Sequence, residues 1–378
     1  MAMTSKERVR TTLRHEEPDR VPVGEIGIDC ELVERVLGRE SFWRGWFKTT
    51  QAYWDGRRDE VVDSLKRDIV ELTLKLGLDM VPVFLVPSKY KEIRRPRQVG
   101  PGLYEDDEGN QFQYSEASTW LIQTRDVDAE RELTVEQFER QQPEPPDDSE
   151  LELIRYVVET LGPTHYVFAR DGDATFPFLG GMEAGLMLMA TQPEVVRAAI
   201  EAGQRQVLAE DLRILETGVD ALSPSADYAG TTGPMINPRL FRDLCFPAIR
   251  EHCAHTHAHG VDFLKHACGN NWALLDMFVE AGMDAYQGIQ GSATMDIRLL
   301  KERYGDRITL WGGVQVESLV LGTPDDVRAD ALYALRHAAP GGGFIFGSSH
   351  SIATGAKYDN YMAMLDTLAR YGSYPIEV

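Results

Sequence analysis

Eight short apolar runs, most of them followed by a stretch with helical patterning, constrain the fold of this chain more than any other feature. They are VPVGEIG (21–27), MVPVFLV (80–86), HYVFARDG (165–172), DALSPSADY (220–228), VDFLKHACG (261–269), DAYQGIQ (284–290), ITLWGGV (308–314) and GFIFGSS (343–349). Runs of this kind read as buried strands, and regular strand–helix alternation implies a parallel sheet. Eight repeats favour closure into a (β/α)8 TIM barrel over an open, doubly wound sheet. No GxGxxG or GxxxxGKS/T run opens a helix, so the phosphate-cradling alternatives lack their signature.

Two stretches interrupt the alternation. Residues 89–126 change texture around YEDDEGNQFQYS, where the turn Glu108-Gly109-Asn110 predicts a β-hairpin laid over the barrel, a lid or docking element outside its wall. QQPEPPDDSE (141–150) is proline-rich and acidic, which fits a solvated connection better than a domain linker. The expectation is therefore one barrel domain over 1–378 with a hairpin insertion.

Charge narrows the partners. Lysine and arginine number 39 against 60 aspartates and glutamates, and the net charge of −21 repels nucleic-acid backbones and anionic membranes. The N-terminal MAMTSKERVRTTLRHEEPDR has no apolar core, and no run approaches the roughly 20 apolar residues of a membrane span. Cys30, Cys245, Cys253 and Cys268 are too scattered for a disulfide framework. A soluble, cytoplasmic protein is expected.

A barrel of this type works at the carboxyl ends of its strands. The fifth run ends KHACGN, and because strand side chains alternate, His266 and Cys268 point to the same side. Imidazole and thiolate suit Zn(II), which in catalytic sites takes three protein ligands and keeps one position open. The eighth run ends GSSHSIATG, and His350 can reach strand five across the mouth, making it the third candidate ligand. The bland alternative is a buried thiol beside a core histidine; the turn residues Gly269-Asn270 that follow point instead to a strand end. Asp79, Asp227, Glu25 and Gln287 are also read as strand-end residues, and Asp171 is a weaker candidate in RDGDATF. The histidines of EHCAHTHAHG (251–260) read as a solvated helix end capable of adventitious metal capture, and Gly341–Gly343 as a tight turn.

These motifs resemble the uroporphyrinogen decarboxylase superfamily, which includes the decarboxylase and the cobalamin-dependent methyltransferases. The resemblance spans nearly the whole chain: KERVRTTLRHEEPDRVPV (6–23), DYAGTTGPMINPRLFRDLCFPAIREHCAHTHAHG (227–260), HACGNNWALLDMFVEAGMDAYQGIQ (266–290), WGGVQVESLVLGTPDDVRADALYAL (311–335) and GGGFIFGSSHSI (341–352). It implies the same barrel and divides two mechanisms. Zinc methyltransferases of the superfamily use a His-x-Cys pair, matched by His266 and Cys268, plus a later cysteine, where this chain has His350. The decarboxylase is metal-free and uses a strand-end aspartate and a histidine near the last strand, to which Asp79 and His350 would correspond. Its RQAGRY-type segment after the first strand, which holds substrate carboxylates, is replaced here by GEIGIDCELVERV (24–36). A highly carboxylated tetrapyrrole would be poorly compensated without those cations.

The resemblance thus favours a corrinoid-dependent methyltransferase or demethylase. Zinc on His266, Cys268 and His350 would polarise a small methylated substrate or a thiol, with Asp79 or Asp227 relaying a proton and Glu25, Tyr228 and Gln287 lining the pocket. No DxHxxG corrinoid signature is present, so the resemblance implies a corrinoid on a partner protein; it also suggests a homodimer. The alternatives are the metal-free decarboxylase and a catalytically silent binding barrel.

Overall fold

The computed structural model describes residues 3–116, 119–127 and 132–378. Eleven strands form two sheets: β1 (Met80–Val83), β2 (Arg97–Gly100), β3 (Leu103–Glu105), β4 (Gln111–Ser115), β5 (Trp120–Arg125), β6 (Tyr166–Ala169), β7 (Ala221–Leu222), β8 (Asp262–His266), β9 (Ala285–Gln287), β10 (Thr309–Val314) and β11 (Phe344–Ser348). Seven of them run in parallel in the order β1-β6-β7-β8-β9-β10-β11. The eighth place is taken by residues 22–24. Phe346 N donates to Pro22 O at 2.8 Å and Gly24 N to Phe346 O at 3.0 Å, while on the other side Asp79 N donates to Val23 O at 2.8 Å. The first run is therefore a barrel wall held by a single bridge, Val23 to Phe346, and not a full strand. Pro22 has no N–H to extend the ladder.

Strand alternation sorts the core into two shells. Met80, Tyr166, Phe168, Leu264, Ala285, Trp311 and Ile345 pack together inside the barrel. Val81, Val167, Leu222, Phe263, Tyr286 and Leu310 belong to the outer shell, against the helices. The interior is tight around Gly347, where a Cβ would lie 2.3 Å from Gly24 O. Helix boundaries follow local chemistry: a Thr4–Glu7 capping box opens Ser5–Leu13, Gly77 in the left-handed conformation ends Arg58–Leu76, and Thr323 with Asp326 caps Pro324–Ala338.

The insertion is larger than one hairpin. β2 to β5 form a four-stranded antiparallel sheet, and the expected turn is bounded by Asp106, whose carboxylate accepts from the Glu108 and Asn110 amides. Residues 117 and 118 of the predicted 89–126 segment lie outside the described residues. No described helix is long and apolar enough to cross a membrane.

Two expected site residues are elsewhere. Asp79 precedes β1, so it sits at the amino-terminal floor of the barrel, away from the mouth. There it is fully buried and accepts from Arg8 (2.7 Å), from both Arg20 nitrogens (2.7 and 2.9 Å) and from Val23 N (2.8 Å). Tyr228 is also fully buried, but in the outer shell among Phe176, Phe241 and Phe278, with its hydroxyl 2.8 Å from Thr175. It lines no pocket. Ion pairs hold Asp79 in its place, and aromatic packing holds Tyr228.

Candidate metal centre

At the opposite end, β8 carries Leu264 and His266 inward and its extension carries Cys268, as the two-residue period requires. His350 arrives from beyond β11. One donor atom from each of His266, Cys268 and His350 lies within 4.8 Å of the other two. His266 Nε2 and Cys268 Sγ are 3.2 Å apart, and the two imidazoles meet edge to face at 5.4 Å between centroids.

The surroundings choose the tautomers. Gln287 donates through Nε2 to Ser348 O at 3.0 Å, which turns its Oε1 towards His266 Nδ1. Nδ1 must then carry the proton, leaving the Nε2 lone pair directed at the centre; a metal-binding histidine is usually oriented in this way by a hydrogen-bond acceptor behind it. His350 follows the same logic, with Nδ1 3.1 Å from Ser351 O and 3.0 Å from Ser351 Oγ. Burial, reinforced by His350 and opposed by Asp227, lowers His266 to about 4, so its imidazole is neutral at pH 7. Burial and then Asp227 push the Cys268 thiol up; a bound cation would reverse that direction. Two imidazoles and a thiol converge on one point, a donor set that fits Zn(II).

Gln287 therefore belongs at the site as a support behind His266. Glu25 lies below it, 1% exposed, and burial raises its carboxyl to about 8 against the bonds from Ser348. The Ser348 hydroxyl has one proton and two close acceptors, Glu25 Oε2 at 2.5 Å and His350 O. A protonated Glu25 resolves this, donating to Ser348, which donates to the carbonyl of His350. Asp227 is half exposed at the rim, accepts from Cys268 N at 2.8 Å and lies 3.9 Å from His266 Nε2.

Asp171 serves another group. Its carboxylate and that of Asp211 flank His252 at 3.3 and 2.7 Å, all three side chains nearly inaccessible. Burial would lower His252, but the two carboxylates outweigh it and raise it to about 10. The EHCAHTHAHG reading is corrected here: His252 is a core cation between helices, whereas His257 pairs with Asp284 at 2.7 Å and His259 closes the helix end. Gly341–Gly343, all with positive φ, form the expected turn.

Sequence reasoning passed over Arg44 and Arg170. Arg170 directly follows β6, a strand-end position, and its guanidinium donates to Ser225 Oγ at 3.4 Å. Arg44 stands in the connection before the helix Trp46–Trp54 and donates to Ser351 Oγ at 3.3 Å. Both border a cavity of about 680 Å³ beneath the inserted sheet.

Residues 179–371 match the family profile described as uroporphyrinogen decarboxylase (URO-D). The chain belongs to the uroporphyrinogen decarboxylase family. Among solved structures, a methyltransferase from Methanosarcina mazei shares the fold at a TM-score of 0.66 and 17% identity, over 98% of this chain and 99% of that one. A B12-independent methionine synthase from Shewanella sp. W3-18-1, solved with selenomethionine, is a looser likeness: TM-score 0.44, 10% identity, 82% and 87% coverage. The search of curated proteins gives no match. For this member of the uroporphyrinogen decarboxylase family, the floor position of Asp79 separates it from the mouth residues, so Asp79 and His350 do not form one site.

Proposed function

We propose that this protein is a zinc-dependent methyltransferase that moves a methyl group between a small methylated substrate or thiol and a corrinoid carried by a separate protein. The observation that carries the reading is the convergence of His266 Nε2, Cys268 Sγ and His350 within 4.8 Å at the barrel mouth. The fold neighbour from Methanosarcina mazei, named a methyltransferase, supports it.

His266, Cys268 and His350 would hold the metal, and Gln287 and Ser351 orient the two imidazoles. When bound, zinc supplies Lewis acidity to the heteroatom bearing the methyl group. In the demethylating direction the carbon–heteroatom bond breaks and its electron pair stays on the heteroatom. A reduced corrinoid would supply the electron pair that accepts the methyl group, and the heteroatom left behind takes a proton. Asp227, at the rim beside Cys268, is placed to deliver it. Asp79, buried at the floor, takes no part.

The test is metal content and turnover of tag-free protein. About one zinc per chain is expected, with methyl transfer to or from free cobalamin lost on chelation and restored by zinc. Folded, metal-free protein that still turns over would sink the reading. Gln287→Ala should leave the fold intact and weaken zinc binding about 10- to 100-fold, because its loss frees the His266 ring; competition with a chromogenic chelator measures this, and unchanged affinity would remove Gln287 from the centre.

A further inference from the structure

Two arginines at the mouth form no ion pair among the described residues. Among the described residues neither Arg44 nor Arg170 lies within 4.0 Å of a carboxylate, although the chain has 60 acidic residues. Asp171, next to Arg170 in sequence, is engaged with His252. Asp29, which opposes the depression of Arg44, spends its oxygens on Glu31 N and Thr354. Burial, with Arg170 adding to it, lowers Arg44 to about 10. Arg170 itself is lowered by burial against the pull of Asp171, and partly buried cations without an ion-pair partner are costly unless an anion joins them.

The backbone is built to hold Arg44 there. Arg44 and Trp46 both have positive φ, 48° and 39°, a conformation that side-chain-bearing residues avoid unless their surroundings impose it. Gly27 leaves room for the guanidinium, since a Cβ there would lie 2.2 Å from Arg44 Nη1. The Arg44 Nε is buried and unpartnered.

The cavity between them is apolar and flat-walled. Phe84 comes from the barrel side, Trp46, Phe47 and Tyr53 from the helix Trp46–Trp54, and Phe112 and Trp120 from the inserted sheet. Trp46 and Trp120 meet edge to face at 4.2 Å between centroids, tying the insertion to this wall. Each arginine is one serine away from the metal centre. Arg44 reaches Ser351, which contacts His350 Nδ1, and Arg170 reaches Ser225, which bridges His266 across adjacent strands.

We infer that Arg44 and Arg170 bind the anionic group of an organic acid whose flat apolar body lies in the cavity walled by Phe47, Phe84, Phe112 and Trp120. Resting on the methyl-transfer reading, this makes the substrate class methylated organic anions and gives the inserted sheet the role of a specificity wall. Planar guanidinium groups suit a carboxylate, and aromatic faces suit a flat ring or an unsaturated chain.

The test is binding, followed by calorimetry and by the fluorescence of Trp46 and Trp120, on zinc-depleted protein. Benzoate, benzyl alcohol and inorganic phosphate are the probes. Benzoate should bind at least about 10-fold more tightly than benzyl alcohol, the gain expected of a charge-assisted hydrogen bond. Phosphate, which has the charge without the ring, should bind more weakly than benzoate. Arg44→Met and Arg170→Met should each remove the benzoate preference while benzyl alcohol is unaffected. Equal binding of benzoate and benzyl alcohol to the wild type overturns the proposal, and that comparison stands even if a variant fails to fold. Benzoate binding unchanged in both folded variants overturns it too, as does phosphate binding as tightly as benzoate. Because no metal is present, failure here leaves the zinc reading intact, and a zinc-free active enzyme would leave this site intact.

Discussion

Exchanging Cys268 for serine should empty the metal centre and lower methyl transfer on the order of 10³-fold, the loss expected when several kcal/mol of Lewis-acid stabilisation disappears. Cys268 is the one thiol in the trio, and its sulfur lies 3.2 Å from His266 Nε2. Serine cannot replace it, because a hydroxyl is a far poorer zinc ligand than a thiolate. The fold should survive, since Cys268 lies past the end of β8 and its backbone N–H remains bonded to Asp227. His266→Ala should have a similar effect on zinc content and a larger one on stability, because it leaves Gln287 Oε1 buried without its partner. Plasma mass spectrometry of the variants, with circular dichroism as the folding control, checks both. A Cys268→Ser protein that retains its zinc and its turnover would show that sulfur is not a ligand.

How much of this could be read from the residues differs between the barrel and its mouth. The barrel was legible because its signal repeats: seven apolar runs recur as parallel strands, and the eighth, 21–27, holds its place through two backbone bonds to Phe346. His266 and Cys268 were legible because alternation is local, and a turn follows them at Gly269. His350 needed only the barrel's closure to bring β11 near β8. The errors have equally physical causes. Asp79 was assigned to the carboxyl end of a strand, but it precedes the strand's first residue, and a register one element out of place moves a side chain from mouth to floor. Tyr228 lies six residues beyond the end of β7 in an irregular connection, where strand alternation no longer applies, and its ring packs among Phe176, Phe241 and Phe278. Arg44 carried no periodic signal at all: it is brought to the site by an irregular connection with positive φ, a conformation that residue type alone does not announce. Arg170, by contrast, was legible as a strand-end residue and was eclipsed by its neighbour Asp171. The arginines expected to be absent were only those of the segment after the first run, and that reading did not extend to cations elsewhere at the mouth. They come from two other places in the chain.

Replacing Asp79 by asparagine should destabilise the protein by about 3–5 kcal/mol while leaving the chemistry of the surviving fold untouched. The change is nearly isosteric, so the loss comes from charge and hydrogen-bond polarity. Both carboxylate oxygens accept: Oδ1 from Arg8 and Arg20, Oδ2 from Arg20 and Val23 N. An amide nitrogen in either place faces donors with a donor, and the guanidinium of Arg8, 8% exposed, loses the more deeply buried of its two carboxylates and keeps only Asp19. Breaking a buried pair from one side costs about 3–5 kcal/mol, a large share of the roughly 5–15 kcal/mol by which a domain is stable. The network also ties the first helix, Ser5–Leu13, to the wall segment at Val23 and to the start of β1, so its loss loosens the barrel where closure rests on a few backbone bonds. Urea unfolding of wild type and Asp79→Asn measures the difference, and zinc content and methyl transfer are compared on folded protein below the transition. A catalytic aspartate would give the opposite pattern, with stability preserved and turnover abolished. Observing that pattern would return Asp79 to the chemistry and revive the metal-free decarboxylase, whereas a weakened but active protein assigns it to the closure of the barrel floor.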